Sequence, residues 1–185
     1  IWDTRSRELF LARDRTGILP LYYHFDRKTL TFASEIKALF LNPDIPRALD
    51  PKGLFDVLTY WANLPPRTVF SSILELPPAH YLHLKNGVVQ TRAYWRLDPG
   101  LQGTLEDSKT AHRMVEELLV DSIRLRLRAD VPVAAYLSGG LDSSLISSIV
   151  KRHFNNHLHT FSVAFSDADY DESPHQHVMA KFLGT

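Results

Sequence analysis

The sequence predicts two units of different class in tandem, an α+β unit dominated by antiparallel strands and then the opening of an α/β unit built on a parallel sheet. Three observations predict this. Short apolar runs separated by polar turns fill residues 1–97, a polar Pro/Gly-containing break covers 98–106, and from 107 onward long helical periodicities alternate with short apolar strands.

In the first unit, Glu8–Arg13, Leu21–Phe25 and Thr29–Ser34 are strand candidates separated by Asp14-Arg15-Thr16-Gly17 and Asp26-Arg27-Lys28 turns, which together predict a meander. A helix is expected from Ser34 to Leu41, stopped by Asn42-Pro43. A better-signalled helix follows: Asp50 suits the N-cap, Pro51 the first helical position, and Leu54, Phe55, Leu58 and Trp61 recur at helical steps. From Thr68 to Leu97 the pattern is β again. Tyr81–Lys85 and Val88–Arg92 flank Asn86-Gly87, a strong hairpin signal. Asp98-Pro99-Gly100 through Gly103-Thr104 marks a linker and domain boundary.

The second unit opens with an amphipathic helix over Ser108–Leu127, with Ala111, Met114, Val115, Leu118, Leu119, Ser122 and Ile123 on one face. Val131–Leu137 reads as a buried strand, followed by Ser138-Gly139-Gly140-Leu141-Asp142-Ser143-Ser144 and a helix with Leu141, Leu145, Ile146, Ile149, Val150 and Phe154 at helical spacing. Leu158–Phe165 is a second strand, and Glu172–Leu183 a final helix stopped by Gly184 and leading toward a third strand. This βαβ alternation predicts a parallel sheet with a right-handed crossover and a ligand crevice at the carboxyl ends of its strands.

The glycine turn carries the chemistry. Two glycines permit a sharp turn and close approach of another molecule to the main chain. The first amides of the following helix lack intrahelical acceptors and sit at the positive end of its dipole, so an oligophosphate fits there. Asp142 beside a phosphate is repulsive by itself, which implies a bridging divalent cation such as Mg²⁺. The loop lacks the Gly-Lys-Ser/Thr ending of a Walker loop and the three-glycine spacing of a dinucleotide fingerprint. The plainer alternative is a Gly-Gly turn with a serine cap.

Composition narrows the rest. With 21 basic and 21 acidic residues in 185, and no basic stripe, the chain lacks the signature of a nucleic-acid binder. Neither a membrane-spanning run nor a signal-peptide pattern is present, so a cytoplasmic location is the expectation. Cysteine is absent, which excludes disulfides and thiol chemistry within these residues. His153, His157 and His159 lack a nearby carboxylate in the sequence, and His175 and His177 do not share a helix face, so metal ligation is disfavoured. A start at Ile1 rather than Met suggests an internal piece of a longer protein.

Ser138–Ser144 resembles the pyrophosphate loop of adenylating amidotransferases, which cleave ATP between its α and β phosphates. Taken in order, Ala12-Arg13-Asp14-Arg15-Thr16-Gly17-Ile18-Leu19-Pro20-Leu21-Tyr22-Tyr23, Phe32–Leu39, Leu76-Pro77-Pro78-Ala79-His80-Tyr81-Leu82 and the loop resemble glutamine-hydrolysing asparagine synthetases over nearly the whole chain. The resemblance implies the later part of an N-terminal-nucleophile glutaminase (class II glutamine amidotransferase) domain over 1–97, a linker over 98–106, and the start of a pyrophosphate-loop synthetase domain over 107–185. It implies ATP and Mg²⁺ as cofactors, with aspartate and glutamine or ammonia as further small-molecule partners; homo-oligomerisation stays open.

By the same resemblance, Leu137, Ser138, Gly139, Gly140, Asp142, Ser143, Ser144 and Val163 hold the nucleotide, Asp142 the metal, and Asp171 and Glu172 form an acidic helix start near the site. Simple helix-dipole acids explain the last two equally well. Arg13, Asp14, Gly17, Ser34 and Glu35 are family framework. The family's nucleophilic cysteine is expected outside this chain, so the segment by itself should neither hydrolyse glutamine nor complete amide synthesis. Related alternatives are a β-lactam synthetase, a peptide-cyclising ligase and a non-catalytic nucleotide-binding paralogue.

Overall fold

A computed structural model of the chain describes residues 1–98, 107–154 and 157–185. It divides into two compact units, Ile1–Leu101 and Gln102–Thr185. The expected linker lies, apart from Asp98, outside the described residues.

The first unit holds β1 (Trp2–Asp3), β2 (Glu8–Ala12), β3 (Tyr22–Phe25), β4 (Leu30–Ala33), α1 (Ile36–Leu39), α2 (Pro51–Tyr60), β5 (Leu74–Glu75), β6 (His80–Lys85) and β7 (Val88–Ala93). The expected meander is corrected here. β2 and β3 belong to different antiparallel sheets, one ordered β1-β2-β6-β7 and the other β4-β3-β5. The connection between them is no hairpin turn. The Asp14 carboxylate accepts hydrogen bonds from the amides of Thr16, Ile18 and Leu19, and the Arg13 side chain donates to the carbonyls of Gly17 and Leu19. The chain is thereby turned out of the first sheet before Pro20.

β3 and β4 do form the expected hairpin, with Tyr22 opposite Ala33 and Phe25 opposite Leu30. β6 and β7 pair from His80–Ala93 to Lys85–Val88. Asn86 and Gly87 between them have φ of 51° and 75°, the doubly left-handed turn that matches strand twist. Leu11, Tyr23, Leu76 and Leu82 form one buried cluster with contributions from both sheets, and Leu39, Ile45 and Ile73 form another.

The first expected helix shrinks to a single turn. In α2, Asp50 caps the N-terminus by accepting from the Lys52 amide at 3.0 Å. Trp61 ends that helix in the left-handed region rather than continuing it. Gly53 is there because a Cβ would lie 1.9 Å from the Thr68 carbonyl oxygen.

The second unit comprises α3 (Ser108–Arg126), β8 (Ala134–Tyr136), α4 (Leu141–Phe154), β9 (His159–Phe161) and α5 (Ser173–Leu183). β8 and β9 are parallel and in register from Ala134–His159 to Tyr136–Phe161. Ile123, Ile149, Val150 and Leu158 make the core, with Leu119, Val120, Leu127, Ala135 and Phe154 packed around it. Two expectations need correction. The strand read as buried leaves Tyr136 83% exposed, because the described sheet has two strands and one face of β8 has no covering layer. The N-terminal half of the apolar face on α3 is also uncovered: Met114, Val115 and Leu118 are exposed, since the core contacts α3 chiefly from Leu119 onward. No helix among the described residues is long and apolar enough to cross a membrane.

Candidate functional site

The carboxyl ends of β8 and β9 lie side by side. The last ladder bond runs from the Leu137 amide to the Phe161 carbonyl at 2.8 Å, and the Ser162 hydroxyl donates to the Leu137 carbonyl at 2.6 Å. Leu137 itself is buried, 1% exposed, where the strand runs into the turn. Beyond it the backbone swings through Gly139, whose φ of +82° lies in the region open chiefly to glycine. α4 begins two residues later.

Serines organise the turn. The Ser143 hydroxyl accepts from the Ser138 amide at 3.2 Å, lies 3.0 Å from the Ser138 hydroxyl, and donates to the Gly140 carbonyl at 3.2 Å. The Ser138 hydroxyl in turn accepts from the Gly140 amide at 3.2 Å. Ser144 contributes through its amide, which donates to the Gly140 carbonyl, while its hydroxyl is buried without a partner among the described residues. The amides of Leu141, Asp142 and Ser143 take no protein acceptor among the described residues, as the first turn of a helix dictates. Asp142 is exposed in that same turn. The arrangement offers converging N–H groups, hydroxyls and a carboxylate, a donor set suited to an oligophosphate with a hard cation. No group of three or more His, Cys, Asp or Glu side chains converges among the described residues, so a cation here would need oxygens from its ligand.

Gly139 meets a second constraint. A Cβ there would lie 2.7 Å from the Cβ of His175 and 2.8 Å from the Gln176 amide nitrogen, so the turn sits directly against the first turn of α5. Sequence reasoning did not find this contact, nor the residues behind it. Gln176 is 6% exposed and donates from Nε2 to the Val163 carbonyl at 3.0 Å. The available signal was a polar residue on the face of α5 that also carries Ala180 and Leu183.

Val163 is 60% exposed at the exit of β9. Asp171 proves to be a local organiser: its Oδ1 accepts from the Ser173 hydroxyl at 2.6 Å, the Ser173 amide and the Phe165 amide. The Ser173 hydroxyl bond first, then those amides, hold its carboxyl below the usual carboxylate range. Glu172 occupies the N-cap position of α5 without a side-chain capping bond.

In the first unit the motif residues serve the scaffold. Arg13, 8% exposed, pairs with Glu75 at 2.7 Å and also donates to the carbonyls of Leu76, Leu19 and Gly17, so its guanidinium is held by four protein acceptors. Hydrogen bonds from the Ile18 amide first, then from Leu19 and Thr16, lower the Asp14 carboxyl to about 2. Ser34 and Glu35 lie at the junction of β4 and α1.

Comparisons with known proteins agree in two places. Residues 1–95 match the family described as glutamine amidotransferase domain, and residues 114–185 match asparagine synthase. Among curated relatives, asparagine synthetase [glutamine-hydrolyzing] 3 of Bacillus subtilis is 35% identical over 174 residues, covering 91% of this chain and 28% of the relative. Asparagine synthetase [glutamine-hydrolyzing] 2 of the same organism is 34% identical over 198 residues, covering 99% and 26%. Amidase chry2 of Gibberella zeae is 34% identical over 155 residues, covering 81% and 22%. The chain thus spans less than a third of the length of these relatives.

Proposed function

Starting from the premise that this chain belongs to the glutamine-hydrolysing asparagine synthetase family, we propose that it forms part of an ATP-dependent ligase that activates the side-chain carboxylate of aspartate and amidates it with ammonia from glutamine. The first unit is then the later part of an N-terminal-nucleophile glutaminase and the second the opening of a pyrophosphate-loop domain. The observation that carries this reading is the exposed Asp142 in the same helical turn as three amides without an acceptor among the described residues, at the carboxyl end of a parallel strand.

In this reading the amides of Leu141, Asp142 and Ser143, with the hydroxyls of Ser138 and Ser143, bind the β and γ phosphates, and Gly139 and Gly140 admit them to the main chain. Ser144 contributes its place in the first turn. Leu137 and Val163, at adjacent strand ends, flank the nucleoside. Asp142 together with phosphate oxygens would hold Mg²⁺, consistent with a site offering one carboxylate rather than an all-protein cage. When bound, Mg²⁺ supplies neutralisation of phosphate charge.

An aspartate carboxylate oxygen bonds to the α-phosphorus as the bond to the bridging oxygen breaks and pyrophosphate departs. Ammonia then displaces AMP from the acyl carbon. Negative charge grows on the departing pyrophosphate, so the fixed amides stabilise the transition state more than the ground state. The 185 residues contain no cysteine, so the thiol of a glutaminase is not among them.

The test is to supply the full-length protein with MgATP, aspartate, and glutamine or ammonium, and to quantify AMP, asparagine and glutamate. AMP and asparagine with either donor, and glutamate only with glutamine, support the reading. Asp142→Ala should raise the barrier by about 2–4 kcal/mol, the scale for losing one strong electrostatic stabiliser. Normal AMP production by that variant would refute the site. The similarity to a protein named amidase favours one second reading, a different acyl acceptor; AMP formation that aspartate fails to stimulate would select it.

A further inference from the structure

Past Phe161 no ladder bond is made among the described residues, yet in the proposed site Val163 must be held in place at the edge. Three side-chain tethers replace the ladder. The Ser162 hydroxyl binds the Leu137 carbonyl, Gln176 Nε2 binds the Val163 carbonyl, and the Phe165 amide binds Asp171. Of the tethering side chains, Gln176 is the buried one, at 6% exposure, in a stretch where residues 161–170 are all exposed. A buried amide of this kind has a fixed direction and a cost if left unpaired.

Its effect on the backbone follows from peptide planarity. In a trans peptide the C=O of one residue and the N–H of the next point in opposite directions. Gln176 draws the Val163 carbonyl toward α5, so the Ala164 amide is turned away from α5. That amide takes no protein acceptor among the described residues.

We infer that Gln176 is a positioning residue for the nucleoside half of the nucleotide site: it locks the Val163–Ala164 peptide so that the Ala164 N–H is presented to an acceptor atom of the bound nucleotide. The inference rests on the ATP-site reading of Leu137 and Val163. It separates cleanly from the phosphate half. The contact between α5 and Gly139 is made by His175 and by the main-chain nitrogen of Gln176, so it survives a change of the Gln176 side chain.

The test is calorimetric titration of the full-length protein and its Gln176→Met variant with AMP and, separately, with magnesium pyrophosphate. Met keeps the length and removes the donor. AMP affinity should fall about five- to tenfold, the scale of one neutral hydrogen bond, with pyrophosphate affinity unchanged and the ATP KM rising without a matching loss of kcat. Equal losses for both ligands would mean a merely structural role and overturn the inference, as would no change for either. Should Gln176→Met unfold, Gln176→Asn, which is too short to reach the Val163 carbonyl from the same backbone, must show the same AMP-selective loss. Wild-type protein that binds neither AMP nor pyrophosphate would instead overturn the ATP-site reading itself.

Discussion

Gly139 and Gly140, in the turn between β8 and α4, are adjacent in sequence but not equivalent, and replacing each with alanine should separate them. At Gly139 two costs add. Its φ of +82° penalises a Cβ by about 1–2 kcal/mol. The new Cβ would also lie 2.7–2.8 Å from the His175 Cβ, the His175 carbonyl carbon and the Gln176 nitrogen, two of them backbone atoms in the start of α5. Overpacking of that kind costs about 1–3 kcal/mol because a whole helix must shift. Gly139→Ala should therefore destabilise the second unit by about 2–5 kcal/mol. At Gly140 the backbone is not left-handed, and the nearest atom to a Cβ is the Ser138 hydroxyl oxygen at 3.3 Å, which can rotate. The stability cost of Gly140→Ala should stay below about 1 kcal/mol. Hydrogen exchange read peptide by peptide in the full-length protein gives both numbers: Gly139→Ala should deprotect α5 and Gly140→Ala should not. Equal protection of α5 in the two variants, or greater loss in Gly140→Ala, would refute the packing argument.

Other outcomes follow from the same structure. Glu75→Leu strands the Arg13 guanidinium and should cost the first unit about 3–5 kcal/mol in urea unfolding, with Arg13→Met added to Glu75→Leu recovering only part of it because the Leu76, Leu19 and Gly17 carbonyls lose their donor. Ser147 is fully buried with a hydroxyl that has no partner among the described residues, so Ser147→Ala should raise the unfolding midpoint, by about 1 kcal/mol in stability, against the usual expectation for a core truncation. Asp14 titrates near 2 in the folded chain against 3.8 ordinarily, so its contribution is present in full above about pH 4 and is lost as pH falls from there toward 2. An acid-unfolding titration of Asp14→Asn should show a flatter limb across that window.

Much of the chain was legible because its signals are local. Asp50-Pro51 marks a helix start, Asn86-Gly87 a hairpin and Gly184 a helix stop, and each appears where the residues placed it. The strand–glycine turn–helix unit from β8 to α4 was legible for the same reason: its parts are consecutive. Strand partnership was not. Nothing near Ala12 says that β2 pairs with β6 rather than β3, because the partner residues, Tyr81–Leu84, are remote in sequence, as is Glu75 on β5, which Arg13 reaches across 62 positions. The motif residues of the first unit were readable as framework, but the carbonyls and carboxylate that Arg13 reaches, and the amides that donate to Asp14, became visible only in three dimensions.

The site shows the same division. Residue types and spacing alone single out Ser138, Gly139, Gly140, Asp142 and Ser143 as the turn proposed to bind phosphate, since the turn's backbone demands and the helix's free amides are properties of neighbouring residues. Only the tertiary structure decided that Gly139 also makes room for α5 and that Gln176, of no known role in its own stretch of sequence, holds the opposite strand end. Conformational preference is written over a few consecutive residues, whereas the pairing of buried polar groups depends on which distant segments the packed core brings together.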